Sequence, residues 1–90
     1  MKRSIFIGKL ERLLRLLRPV LTEQEHDDAA NFYGQGEADC ALDLAAWVII
    51  ERSRPITREI YDLFAELLPE APDAGQHDLA AMSRLVKPGS

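Results

Sequence analysis

The residues with the greatest capacity for chemistry are two histidines and one cysteine. His26 and His77 each precede an aspartate, but adjacent residues on a helix point about 100° apart, so neither pair forms a chelating face. Cys40 lies near an expected helix start, which favours a thiolate, yet no lysine or histidine adjoins it, and a structural cysteine is the stronger interpretation. A lone cysteine also excludes an intrachain disulfide and a cysteine-rich zinc site. We therefore expect no catalytic residue, no metal and no cofactor, and no enzymatic activity.

A row of carboxylates around the single tryptophan is more informative. Asp39 and Asp43 are four residues apart on an expected helix, where like charges repel, and Trp47 and Glu51 continue the row. One interpretation is a solvated face with Trp47 packed against a neighbouring helix. The other is a binding face, in which Trp47 is an aromatic anchor and the carboxylates meet a basic partner. Together with two acids of the next helix, the predicted partner-binding residues are Asp39, Asp43, Trp47, Glu51, Asp62 and Glu66.

The elements that position these residues follow from apolar periodicity. Helical spacing predicts an all-α, compact bundle of four to five helices, over residues 4–17, 22–33, 37–52, 58–68 and 77–86. The third helix is apolar around most of its circumference, so we expect it at the centre, with the fourth helix antiparallel to it across a short turn. The second helix is expected to dock loosely through Phe32 and Tyr33. Residues 69–76 are predicted to form a loop or a loosely held strap.

Several residues mark the expected helix ends. Thr22 and Glu25 have the spacing of a capping box, and Thr57 is a favourable N-cap. A glycine at position 34 or 36 is suited to the positive φ that commonly ends a helix. The length of 90 residues predicts one domain, with an ordered core at about 4–86 and a frayed tail at 87–90.

Charge is unevenly distributed along the chain. Residues 1–18 contain six basic groups and one acid, whereas residues 19–90 contain five basic and fourteen acidic groups, for a net charge of −4. Arg12, Arg15 and Arg18 form a basic stripe, but no basic recognition helix follows, so we expect no nucleic-acid partner. The apolar runs are too short for a signal peptide or a membrane span, and the lone cysteine suits a reducing compartment, so a cytoplasmic protein is expected.

The centre of the chain carries a family resemblance. Its residues are the run Tyr33-Gly34-Gln35-Gly36-Glu37, the pair Ala41-Leu42, the apolar helix to Glu51, the run Pro55-Ile56-Thr57, and Tyr61. Over residues 33–64 this pattern resembles the small MafI-like immunity proteins of bacterial polymorphic toxin and contact-dependent inhibition systems. It departs from the family at Ala38, where an aromatic residue is frequent. The motif residues have capping, turn or packing roles, so we do not assign them to partner binding.

The resemblance implies a cytoplasmic protein that binds the carboxy-terminal effector domain of a cognate secreted toxin and blocks its active site or substrate groove. Many such toxins are nucleases with cationic grooves, which an acidic helical surface suits. The alternative is a small regulatory or scaffold protein that acts as a homodimer through Leu44, Trp47 and Ile50.

Overall fold

The computed structural model describes residues 1–89 as a set of five α-helices. Their bounds are α1 Arg3–Leu16, α2 Glu23–Gly34, α3 Ala38–Glu51, α4 Arg58–Leu67 and α5 Leu79–Ser83. Two short 3₁₀ helices, Leu68–Glu70 and Pro72–Ala74, lie between α4 and α5. Apart from one isolated bridge, the described chain contains no β-structure. The prediction of an all-α bundle is confirmed, and the radius of gyration of 11.9 Å matches the roughly 12 Å of a compact 90-residue domain.

Local side-chain and backbone hydrogen bonds define both ends of α2. At its start the Thr22 hydroxyl accepts from the Glu25 backbone N–H, and the Glu25 carboxylate accepts from the Thr22 N–H, which confirms the capping box. At its end Gly36 has a φ of 81°, and the Glu37 N–H bonds back to the Phe32 carbonyl. This Schellman-type ending satisfies the last carbonyls of α2 and turns the chain directly into α3.

A similar ending closes α3 without a glycine. Ser53 has a φ of 48°, and the Arg54 N–H bonds to the Ile49 carbonyl at 3.0 Å. The turn directs the Arg54 guanidinium back onto the start of α2, where it forms two hydrogen bonds with the Glu25 carboxylate, at 2.7 and 3.0 Å. The Thr57 hydroxyl then accepts from the Ile60 N–H, which confirms the predicted N-cap of α4.

The helix α3 is the central element, as predicted. Seven of its residues are buried, and it contacts α1, α2, α5 and the second 3₁₀ helix. Its longest pairing is with α2, whose buried face consists of His26 and Ala29. The expectation that α2 docks loosely through Phe32 and Tyr33 is therefore wrong: both rings are only half-buried, and the small Ala29 lets the two helices approach closely.

The helix α4 packs mainly against α1 and not against α3. The two helices are antiparallel, because the α1 side chains of Lys9 and Arg12 pair in reverse order with Glu66 and Glu59. The prediction that α4 is the antiparallel neighbour of α3 is thus wrong about the neighbour, which is α1. The prediction followed from the short turn that joins α3 to α4, whereas the side chains that pair with α4 come from α1, far away in the sequence.

The chain after α4 is held more firmly than the sequence suggests. Ala71 and Ala74 are fully buried within the segment predicted as a loose strap. The last helix is shorter than expected, and the residues after it pair with the turn before α4: the Ile56 N–H donates to Leu85, and the Lys87 N–H donates to Ile56 at 2.8 Å. Lys87 is therefore not frayed. Ser90, the end of the predicted frayed tail, lies outside the described residues.

Candidate functional site

Trp47 lies on the solvent-facing side of α3. Trp47 is 50% exposed, whereas Ala46 and Val48 on either side of it are buried. Leu44 and Ile50, one turn away in each direction, are half-buried. The structure therefore places the single tryptophan on the surface, at the middle of an apolar ridge along α3.

Two carboxylates of the predicted row are engaged within the chain. The Asp43 carboxylate lies 2.7 Å from Nε2 of His77, which also approaches the Ala74 carbonyl at 2.9 Å. Because both neighbours are acceptors, Nε2 carries the hydrogen and donates to them. The Asp39 carboxylate lies 3.7 Å from the Arg3 guanidinium, too far for a hydrogen bond. Asp43 thus fastens the segment before α5 to α3, which is a structural role that the sequence did not indicate.

The two predicted acids of α4 lie in a different place. Glu66 is paired with Lys9 of α1, and Asp62 lines the same groove, whose walls come from α1 and α4 alone. Glu59 and Arg12 form a second pair across this groove. The acids of α4 are thus opposed by the basic stripe of α1, so this groove is close to neutral. The structure does not bring Asp62 and Glu66 together with the α3 row.

The unbalanced negative charge resides on α2 and α3. Residues 23–51 contain eight acids and no lysine or arginine, so they contribute −8 to a net charge of −4, and the rest of the chain carries +4. The acids are Glu23, Glu25, Asp27, Asp28, Glu37, Asp39, Asp43 and Glu51. Because α2 packs on α3, these acids belong to one pair of adjacent helices and the turn between them.

The acids of this segment differ in how far they are neutralised. Glu25 is held by the Arg54 guanidinium, which lowers the pKa of its carboxyl to about 2. Among residues 1–89, no basic group forms an ion pair with the exposed Glu23, Asp27, Asp28 or Glu51. Within residues 1–89, these four carboxylates thus face solvent outside ion pairs, although Glu51 lines a surface pocket together with Trp47, Arg52 and Arg54.

A cleft that includes one of these carboxylates, Asp28, lies where α2 meets α3. Its lining comes from both helices and consists of Asp28, Asn31, Phe32, Gln35 and Leu44. Leu44 also adjoins Trp47 along α3, so the cleft and the tryptophan form one continuous surface. We refer to the exposed surface of α2 and α3 that contains Asp27, Asp28, Phe32, Leu44, Trp47 and Glu51 as the α2–α3 face.

The sequence did not identify Asp27, Asp28 and Phe32 as site residues, and it placed Leu44 only in the interface of the homodimer alternative. The signal that could have found them is the absence of lysine and arginine from positions 23–51, which marks α2 as part of the acidic surface together with α3. The predicted site instead combined a row of carboxylates within α3 with two acids of α4. A surface built from two helices depends on which of their faces meet, and α2 lacked a clear apolar stripe from which to infer this.

The histidine and cysteine side chains, which could take part in catalysis, lie in surroundings typical of structural residues. His26 is buried, with Nε2 2.8 Å from the Leu14 carbonyl, to which it donates. Burial, followed by the neighbouring carboxylates of Glu37, Asp43, Asp39 and Asp73, raises the pKa of the Cys40 thiol. Within residues 1–89, no group of three or more histidine, cysteine and acidic side chains is arranged to hold a metal ion. In the same range, no helix combines the length and hydropathy needed to cross a bilayer.

Comparison of the chain with protein-family models, with curated proteins and with solved structures gave no match. The geometry and charge of the α2–α3 face are therefore the basis of the functional inference.

Proposed function

We propose that this protein is an immunity protein that binds the carboxy-terminal effector domain of a cognate secreted toxin in the cytoplasm and neutralises it without catalysing a reaction. The observation that carries the proposal is the exposed Trp47 within a segment of eight acids and no lysine or arginine. An aromatic side chain surrounded by charged groups is the usual composition of a binding hot spot. The sequence pattern over residues 33–64, which resembles the MafI-like immunity proteins, supports the same function.

The electrostatics of the α2–α3 face favour a basic protein partner. An uncompensated acidic surface repels nucleic acid and anionic membranes, and attracts a cationic groove such as that of a nuclease. Long-range attraction of this kind raises association rates from about 10⁵–10⁶ M⁻¹s⁻¹ to as much as about 10⁸–10⁹ M⁻¹s⁻¹ at low salt. A protein that must capture a toxin before it acts benefits from such rapid association.

Co-expression tests the proposal directly. The carboxy-terminal domain encoded by the adjacent open reading frame is expressed in bacteria with and without this protein, and survival is counted. We expect loss of viability with the effector domain alone and rescue by co-expression. Equal killing in both cultures would contradict the proposal for that pair.

Matched variants extend this test to the α2–α3 face. The double charge reversal Asp27→Lys with Asp28→Lys is expected to abolish rescue, because it places two cations on the face. The control Asp62→Asn lies in the nearly neutral α1–α4 groove and is expected to keep full rescue. Rescue by both variants would show that the α2–α3 face does not bind the effector domain.

A homodimer is the second candidate, favoured by the apolar ridge of Leu44, Trp47 and Ile50 on the outer side of α3. Two copies meeting there would also bring Asp43 and Glu51 of one copy near those of the other, and like charges brought together oppose association. Sedimentation velocity at low micromolar concentration and low salt separates the candidates. A persistent dimer under these conditions would favour the homodimer, and a monomer would favour a basic partner.

A further inference from the structure

The cleft between α2 and α3 has the groups that recognise one particular side chain. Asp28, Asn31 and Phe32 occupy positions i, i+3 and i+4 of α2, and Gln35, the C-cap residue directly after the helix, continues their stripe at i+7. Leu44 of α3 provides the opposite wall. The cleft therefore combines a carboxylate, two side-chain amides, an aromatic ring and an aliphatic side chain.

The cleft offers hydrogen-bond acceptors to an incoming donor: the Asp28 carboxylate only accepts, and the Asn31 and Gln35 amides can both accept and donate. Gln24 donates to Oδ1 of Asp28 at 2.8 Å, which engages one of the two carboxylate oxygens and fixes the orientation of the group. Asn31 and Gln35 line the same cleft, and the amide of each has an oxygen that can accept. No lysine or arginine of α2 or α3 competes for these acceptors, since neither helix contains one.

The apolar groups of the cleft match the rest of an arginine side chain. A guanidinium stacks on an aromatic ring while it forms in-plane hydrogen bonds with a carboxylate, and its aliphatic stem packs on apolar surface. Phe32 and Leu44 are half-buried, so they offer both a ring and an aliphatic wall to an incoming side chain. A lysine ammonium lacks the planar fork and is more strongly hydrated, so it gains less from the same set of groups.

The size and position of the cleft agree with a side chain presented by a protein. Its volume is about 370 Å³, near the lower limit of about 300–1,000 Å³ for small-molecule sites. Its lining residues are exposed or half-buried, whereas small-molecule sites bury most of the ligand surface. Trp47, one turn beyond Leu44, would then contact the surface from which the arginine projects.

We propose that the α2–α3 cleft is an arginine-recognition site, in which the partner protein inserts an exposed arginine between Phe32 and Leu44 with its guanidinium on Asp28. This inference rests on the proposed function for the nature of the partner, a protein with a basic surface. The inference specifies the side chain that the partner must present, an arginine, and the cleft residues that bind it.

Nuclear magnetic resonance with matched probes tests this inference without a known partner. The ¹⁵N-labelled protein is titrated at low salt with acetyl-Gly-Arg-Gly-amide, and in parallel with acetyl-Gly-Lys-Gly-amide, which has the same charge. We expect saturable shifts confined to the signals of Asp28, Asn31, Phe32, Gln35, Leu44 and the Trp47 indole. The arginine probe is expected to bind about threefold or more tightly than the lysine probe.

Two asparagine variants make the test specific. Asp28→Asn is expected to weaken the arginine probe about fivefold or more, because the charge-assisted hydrogen bonds are lost, while the spectrum reports that the fold is kept. Asp62→Asn removes the same charge from α4 and is expected to leave the affinity unchanged. Equal binding of both probes, shifts spread over all acidic residues, or an unaffected Asp28→Asn variant would overturn the inference.

Two further results separate this inference from the proposed function and from self-association. If the protein rescues cells from the effector domain and Asp28→Asn rescues equally well, the cleft is refuted and the immunity function stands. If the probe binds as predicted but no rescue occurs, the cleft stands and the immunity function fails. A monomer–dimer equilibrium that the arginine probe dissociates would assign the cleft to a second copy of this chain, contrary to the inference.

Discussion

Replacement of Trp47 by alanine separates a surface role from a core role. A buried aromatic side chain removes about 150–250 Å² from water, and Trp47 keeps half of its surface exposed, so about 100 Å² is lost on truncation. At about 25 cal/mol per Å² this corresponds to about 2.5 kcal/mol as an upper limit, because the unfolded chain already buries part of this area. We therefore expect the Trp47→Ala substitution to lower the free energy of unfolding by at most about 2 kcal/mol.

The control for this prediction is Ile49→Ala on the same helix. Ile49 is fully buried, and truncation of such a residue costs about 2–5 kcal/mol through lost burial and a new cavity. For a domain whose total stability is on the order of 5–10 kcal/mol, this loss leaves little margin. Urea unfolding followed by far-ultraviolet circular dichroism measures both variants, since that signal does not depend on the tryptophan.

The result that would refute this reasoning is an unfolded Trp47→Ala variant, or one less stable than Ile49→Ala. Either would mean that the side chain holds the core together and is not available to a partner. A folded Trp47→Ala variant that no longer rescues cells from the effector domain would support the role of the tryptophan as an anchor.

Three further predictions concern ionisable and reactive groups. Glu25 titrates with a pKa of about 2 when folded and near 4.5 when unfolded, so its bond with Arg54 contributes stability above about pH 5 that is lost as the pH falls toward 2. The Glu25 side chain is only 18% exposed, so we expect the Glu25→Gln substitution to lower the free energy of unfolding by about 1–3 kcal/mol at pH 7 and by little at pH 2. Urea unfolding at the two pH values measures this, and an equal loss at both would contradict the prediction. The Glu66→Gln substitution breaks the exposed pair with Lys9, and we expect it to lower the free energy of unfolding by less than about 1 kcal/mol in the same assay. A larger loss would show that the pair is not solvated. The raised pKa of Cys40 predicts alkylation by iodoacetamide at pH 8 several-fold slower than in the urea-unfolded protein, whereas equal rates would indicate an accessible thiolate.

The parts of the fold that were predictable from the sequence depend on local interactions. The Thr22 capping box, the Thr57 cap and the turn at Gly36 are each decided within a few residues, and all three are present. The central position of α3 was also predictable, because its apolar residues surround most of the helix. Such features depend on residue type and spacing alone.

The pairing of helices was not predictable in the same way. Lys9 and Arg12 match Glu66 and Glu59 at helical spacing, but they match other acids of the chain equally well until the packing is known. The α2–α3 face was not predictable from the sequence for the same reason. A row of carboxylates within α3 was visible, whereas the cleft formed with Phe32 requires the contact of two helices. The engagement of Asp43 by His77, 34 positions away, is likewise a tertiary feature.

The most direct measurement of the central claim uses the single tryptophan as its own reporter. The protein is labelled with 5-fluorotryptophan, which places one fluorine atom at Trp47, and is titrated with the effector domain against which it protects cells. We predict a stoichiometric shift of the one fluorine resonance, and loss of the difference in its shift between H₂O and D₂O, because the partner covers the ring. We also predict that the association rate falls steeply as salt is raised from about 0.01 M to 0.15 M, because the screening length shortens from about 30 Å to about 8 Å over that range. Binding that leaves the fluorine resonance unchanged and is insensitive to salt would contradict the account.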